Sequence, residues 1–191
     1  MQPGTLIYLM GPSGAGKDTL IDAARPVLAQ RGIEVVQRVI TRSAESVGEC
    51  ALGVDEAGFE RLRAQGAFAL HWQANGLHYG IPASIDACLA AGTGVLVNGS
   101  RGALPQALGR YPRLLPILLT VNTAVLRERL LRRGREDNAQ IEQRLRRHEQ
   151  LNEEAGQWAA GAGIQRLDNS GRLEDSVAGL LLLVENAHQR S

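Results

Sequence analysis

The run Gly11-Pro12-Ser13-Gly14-Ala15-Gly16-Lys17 has the residue types and spacing of a phosphate cradle. It follows an apolar stretch, Leu6–Met10, and precedes a segment able to start a helix, which is the order such a loop needs. The glycines let the backbone turn so that successive N–H groups point inward. The helix behind presents its positive end, and Lys17 adds a mobile ammonium for β and γ phosphates. The pattern predicts a nucleoside triphosphate held by Gly11, Pro12, Ser13, Gly14, Ala15, Gly16 and Lys17. The next position departs from it: a Ser or Thr usually follows the lysine and offers a hydroxyl to magnesium, whereas Asp18 stands here. A carboxylate is a hard oxygen ligand suited to magnesium, but it adds negative charge beside a polyphosphate. Its other role is helix N-terminal electrostatics, worth about 0.3–1 kcal/mol.

Arginines cluster between Arg127 and Arg147, interleaved with Glu128, Glu136 and Glu142. Helix pairing at about 0.2–0.5 kcal/mol per pair accounts for many of these charges as a solvated face. His71, His78, His148 and His188 show no ligand spacing, and His148 and His188 fall on expected helix surfaces. Trp72 and Trp158 read as packing residues. Cys50 and Cys88 form no metal-ligand spacing and suit reduced thiols in a cytosol.

These residues need a scaffold. Apolar runs at Leu6–Met10, Val95–Val97, Leu114–Val121 and Ile164–Leu167 alternate with helical patterns, as a parallel sheet covered by helices reads. Val35–Ile40 suggests one more strand. Helices are expected at Lys17–Ala29, Ala83–Ala91, Thr123–Arg133, Asn138–Ala160 and Leu173–Gln189, with Gly92 and Gly134 as stops and Pro26 kinking or shortening the first. Between Thr41 and Pro82 the rhythm lapses. A helix near Asp55–Ala64, then Phe68–Gln73, a turn at Asn75-Gly76 and Leu77–Ile81 read as an inserted flap. The expected organisation is one domain over 1–191, with a core at 1–40, 83–133 and 161–191, an acceptor-binding flap at 41–82, and a lid with its helix at 134–160.

With 191 residues, 44% hydrophobic and 21% charged, the chain suits one compact domain. A net charge of +1 gives no general attraction to nucleic acid or anionic membrane. No apolar stretch approaches the roughly 20 residues that span a bilayer, so a soluble, cytoplasmic protein is expected.

The loop Gly11–Lys17, the flap ending in Tyr79-Gly80 and the stretch Leu126–Glu136 resemble the guanylate kinase group of nucleotide kinases. The similarity runs from about Leu6 to the C-terminal helix. Within that group, Gly16-Lys17-Asp18, Ala74-Asn75-Gly76-Leu77-His78-Tyr79-Gly80 and Val97-Asn98-Gly99-Ser100-Arg101 are similar to the ribose 1,5-bisphosphate phosphokinases. The resemblance implies a P-loop NTPase three-layer α/β/α fold. It also implies magnesium-dependent phosphoryl transfer from ATP to a sugar bisphosphate, in phosphonate breakdown or NAD supply. The expected catalytic set is Lys17, Asp18, Arg133 and Arg144, the two arginines closing from a lid over the donor phosphates. Arg129, Arg132, Arg135, Arg146 and Arg147 rank below them. Asp18 would hold magnesium, directly or through water, making up for the acids that guanylate kinases carry in the stretch matching Val95–Gly102. Asn169 stands where similar kinases place a residue near adenine, and it could equally cap a turn.

For the acceptor, Arg42 and Tyr79 match phosphate-binding positions, with Arg38, Asn98, Ser100 and Arg101 as further contacts to sugar or phosphate. Two flap positions depart from guanylate kinases, with Glu45 and Val54 where an arginine and a tyrosine are expected. Leu70, with His71 beside it, stands where a glutamate reads guanine. A hydrogen-bonding site lacking its partner discriminates strongly, so a guanine acceptor is disfavoured. A guanylate kinase with altered flap chemistry and a non-catalytic binding module remain as alternatives. No nucleic-acid or membrane partner is expected, and a homodimer is compatible with the sequence.

Overall fold

The computed structural model describes residues 2–41, 51–134, 137–158 and 163–189. In chain order the elements are β1 (Leu6–Met10), α1 (Lys17–Gln30), β2 (Ile33–Val35), β3 (Arg38–Ile40), β4 (Ala51–Gly53), α2 (Glu56–Ala64), β5 (Phe68–Ala74) and β6 (Leu77–Pro82). They continue with α3 (Ser84–Ala90), β7 (Gly94–Asn98), α4 (Leu104–Arg110), β8 (Leu114–Thr120), α5 (Thr123–Arg133), α6 (Asn138–Trp158), β9 (Gln165–Asp168) and α7 (Leu173–Gln189).

Every side chain of β1 is buried, and the strand feeds two cores at once. Ile7 and Leu9 pack with Leu20 and Leu28 of α1, Leu126 and Leu130 of α5, and Leu180 of α7. Leu6, Tyr8 and Met10 pack with Ile85 of α3 and Leu104 of α4. A strand with helices on both faces must be apolar throughout, which is why the run is continuous rather than alternating. The sheet has the order β2-β7-β1-β8-β9, all parallel, so β1 is central and the loop after it opens at the carboxyl edge.

A second, mixed sheet has the order β4-β3-β6-β5. The Asn75-Gly76 turn joins β5 to β6, with φ of 51° and 74° at its two residues, as a tight hairpin requires. Helix α2 is capped by Asp55, which accepts from Gly58 N, and it stacks Phe59 on Phe68 at 4.7 Å.

Three local expectations change. Val35–Ile40 is two strands in two sheets: Val36 N donates to Leu96 O at 3.0 Å as the last bond to the core sheet, and Arg38–Ile40 then pairs with β6 and β4. An apolar pattern cannot say which sheet a residue joins. The second sheet therefore begins at Arg38, ahead of residue 41. Pro26 neither ends nor shortens α1, because buried Leu20, Ile21, Ala24 and Leu28 flank it and hold the helix to the core while Pro26 faces water. Helix α4 goes unannounced in the sequence, since Pro105 and Gly109 break its pattern. Gly134 does terminate α5, at φ 61°.

Gly80 in β6 lies under the ring of Phe68, where a Cβ would sit 2.5 Å from ring carbons. Gly80→Ala should therefore destabilise the protein by about 1–3 kcal/mol, read from urea denaturation, and an unchanged midpoint would contradict this packing.

Candidate active site

The loop between β1 and α1 has the conformation its glycines permit. Gly14 and Gly16 take φ of 91° and 89°, and a Cβ on Gly11 would lie 2.7 Å from Leu119 O. Lys17 Nζ folds back and donates to the carbonyls of Gly11 (2.8 Å) and Pro12 (2.9 Å), which places its charge over the loop. The loop runs into the start of a 14-residue helix whose dipole favours negative charge.

The loop is braced from behind. Asn169 Nδ2 donates to Ala15 O at 2.6 Å, and Arg129 donates to both Ala15 O (3.2 Å) and Asn169 O (2.8 Å). Ala15 is fully buried and contributes its carbonyl to this brace rather than a surface to the cavity. Asn169 and Arg129 also line a cavity of about 370 Å³ with Arg132, Arg133 and Gly171.

In front of the loop lies a larger cavity of about 550 Å³. The loop residues other than Ala15 line it, as do Asp18, Arg133 and Arg144, and across from them Arg38, Tyr79, Ser100 and Arg101. Arg144 Nη1 reaches Ser13 Oγ at 3.4 Å, so α6 already touches the loop. Its start is held by a reciprocal cap, Asp137 Oδ1 accepting from Gln140 N (2.8 Å) and Gln140 Oε1 from Asp137 N (3.0 Å). A bidentate Arg127–Glu142 pair ties α5 to α6. Arg147 lines the cavity too, whereas Arg132 pairs with Glu128 on the solvent side.

Asn98 is placed differently from a substrate contact. It is 6% exposed at the end of β7, and its Nδ2 donates to Asp18 Oδ1 at 2.9 Å. Its Oδ1 is buried with no hydrogen-bond partner. Asp18 thus stands beside the strand end where guanylate kinases were expected to carry acids. Among the described residues no group of three or more His, Cys, Asp or Glu could hold a metal. The Asp18 carboxylate lines the larger cavity beside the loop, and one such group fits a hard divalent cation that takes its other ligands from phosphate and water.

Tyr79 sits in a stack. Trp72, its cross-strand partner, lies parallel to it at 5.5 Å, and the Arg38 guanidinium lies 5.0 Å from the ring centre. Trp72 and Arg38 come from β5 and β3, on either side of β6. Leu70 is fully buried in the core under α3 and His71 points outward, so neither is at the cavity wall. Arg42, Glu45, Cys50, Arg135 and Glu136 lie outside the described residues, as do the side chains of Trp158 and His188.

Sequence reasoning missed four residues. Trp72 was read as packing but lines the cavity. His148, expected on a helix surface, is 2% exposed, with Nε2 2.9 Å from Val121 O. Arg129 ranked low yet braces the loop. Tyr8, invisible inside an apolar run, exchanges two hydrogen bonds with Ser100: its hydroxyl donates to Ser100 O (2.8 Å) and accepts from Ser100 N (2.9 Å). Burial pushes this phenol up to about 12, so it stays protonated at neutral pH.

The fold and the cavity define a P-loop phosphotransferase of guanylate-kinase-like architecture. A guanylate kinase from Anaplasma phagocytophilum superposes with a TM-score of 0.71 at 17% identity, over 97% of this chain and 87% of that one. A gluconokinase from Sinorhizobium meliloti gives 0.53 at 19% identity. No family model matches the chain. Curated relatives named ribose 1,5-bisphosphate phosphokinase PhnN are 58% identical in Pseudomonas fluorescens, over 97% of both chains, and 57% identical in Pseudomonas paraeruginosa, over 93% of this chain and 94% of that one. The chain belongs to the ribose 1,5-bisphosphate phosphokinase family.

Arg129→Ala removes two of the three hydrogen bonds of the brace and should weaken ATP binding about tenfold in titration calorimetry. Unaltered ATP affinity would show that the loop holds its shape without it.

Proposed function

We propose that this enzyme transfers the γ-phosphoryl group of ATP to the anomeric phosphate of ribose 1,5-bisphosphate, releasing ADP and 5-phosphoribosyl 1-diphosphate. The observation that carries this reading is the charge of the larger cavity. Lys17, Arg38, Arg101, Arg133, Arg144 and Arg147 line it, and Asp18 is the one acid among its described lining residues. Such a surface suits two polyphosphorylated reactants. At the acceptor end Tyr79 is flanked by the protein's own Trp72 and Arg38, and among the described lining residues no carboxylate stands beside it for a base.

In this reading the ATP phosphates lie against the loop N–H groups and Lys17, and its base occupies the smaller cavity beside Asn169. Arg38, Arg101 and Tyr79, with Arg42 from the flap, hold the acceptor phosphates. An oxygen of the anomeric phosphate attacks the γ phosphorus in line, a new P–O bond forms, and the bond to the β-bridging oxygen breaks. The nucleophile is already ionised at neutral pH, so no general base is required. Arg133 and Arg144 close from α5 and α6 over the charge that spreads onto the transferred group. A magnesium ion at Asp18 would neutralise β and γ oxygens when bound, with Asn98 holding the carboxylate in place. Closing the flap and lid excludes water and limits wasteful ATP hydrolysis.

Purified enzyme given ATP, magnesium and ribose 1,5-bisphosphate should yield a sugar diphosphate resonance in ³¹P NMR, and GMP should give little product. Product from GMP alone would reject the assignment in favour of a guanylate kinase. Arg133→Ala and Arg144→Ala should each lower kcat by on the order of 10³ with Tm little changed. Asp18→Asn should raise the magnesium concentration needed for half-maximal rate about tenfold, by loss of a charged ligand. An unchanged magnesium dependence would leave Asp18 as a helix-terminal charge only.

A further inference from the structure

The residues that align the two reactants sit on separate segments, and something must set the distance between them. The donor phosphates are placed by the loop that begins where β1 ends. The acceptor, on the reading above, meets the turn that follows β7, where Ser100 and Arg101 face the larger cavity. The register of the two strands pairs Leu9 with Asn98, and the ladder continues through Gly99 N to Leu9 O at 2.8 Å. Beyond that bond the two chains diverge, one into the phosphate loop and the other into the Ser100–Arg101 turn.

We infer that Tyr8 is the positioning residue that fixes the acceptor turn against the phosphate loop. Its hydroxyl makes two reciprocal hydrogen bonds with the main chain of Ser100, one donated at 2.8 Å and one accepted at 2.9 Å. A single side chain thereby satisfies both main-chain groups of the residue ahead of Arg101. The phenol is fully buried, so no water competes for these bonds. Gly99 fits this arrangement and no larger residue does: a Cβ there would lie 2.1 Å from Tyr8 Cζ. The turn has a second tie, from Asn98 to Asp18 at the start of α1. The two ties fall on either side of the phosphate loop, so the acceptor turn cannot shift without dragging a loop end. Ser100 Oγ meanwhile accepts from Gly102 N at 3.2 Å, capping its own turn. This leaves Arg101 as the side chain whose place the phenol decides.

The inference rests on the acceptor reading of this turn, and the experiment separates the two. Tyr8→Phe keeps the ring in the core and deletes only the hydroxyl. It should raise KM for ribose 1,5-bisphosphate about tenfold while KM for ATP stays within about twofold, the signature of a lost alignment at one substrate only. Arg101→Ala should also raise the acceptor KM, and the double variant should be no worse than Arg101→Ala alone, because Tyr8 acts through that residue. Tyr8→Leu, which also deletes the hydroxyl but adds no atom to the core, is the second variant should Tyr8→Phe fail to fold, and it should also raise the acceptor KM selectively. An acceptor KM unchanged in Tyr8→Phe while Arg101→Ala raises it would overturn the role of Tyr8 and leave the acceptor turn standing. Equal losses for ATP and acceptor would reduce Tyr8 to a packing residue, and an unchanged KM in Arg101→Ala would overturn the reading of the turn and the inference with it.

Discussion

Two reactants that each carry several negative charges must be held with a phosphorus of one against an oxygen of the other. Two unit charges 4 Å apart still repel by about 4 kcal/mol at an effective dielectric near 20, and several such pairs act at once. The protein answers with fixed positive and partly positive groups set before either reactant arrives. The loop meets the end of α1, whose dipole favours negative charge, and cationic side chains from the loop, β3, the β7 turn, α5 and α6 surround the space in front of it. Preorganised charge of this kind requires no reorganisation at the moment of transfer.

Such a cage needs a rigid frame, because like charges gathered in one place push each other apart. The central strand β1 supplies it, being buried on both faces and paired with β7 and β8. The brace of Arg129 and Asn169 on Ala15, the bond from Asn98 to Asp18 and the paired bonds between Tyr8 and Ser100 attach the phosphate loop, the start of α1 and the turn after β7 to that frame. Each uses a buried or half-buried polar contact, where hydrogen bonds are stronger and their loss costs more. The cavity wall at Tyr79 is shaped instead by stacking. Trp72 lies parallel to Tyr79 and the Arg38 guanidinium lies against the same ring, so these three side chains hold one another in place.

Legibility in the sequence followed the range of the interaction. The phosphate loop, the continuous apolar strands, the Asn75-Gly76 hairpin and the stop at Gly134 depend on neighbours in the chain, and their residue types announce them. The Val35–Ile40 run failed as a single strand because each half is claimed by a different sheet, a choice made by distant partners. His148 looked like a surface residue because its side chain is polar, yet it continues the buried Ile141 and Leu145 face of α6 and meets Val121 O. Tyr8 could not be singled out, since a tyrosine among Leu, Ile and Met reads as one more core residue.

The sequence by itself determined the chemistry: a phosphate loop, an acid in place of a hydroxyl after its lysine, arginines enough for two anions, and no acid for a base. These are matters of residue type and short spacing, and they survive without coordinates. Which of those groups meet was settled by long-range packing. Asn98 turned from a candidate substrate contact into the partner of Asp18, Arg129 from a surface charge into the brace of the loop, and Trp72 from filler into cavity wall. The reason is that hydrogen bonds and stacking act over a few ångströms, and residues 80 or more positions apart reach that distance only when the sheets and helices have packed.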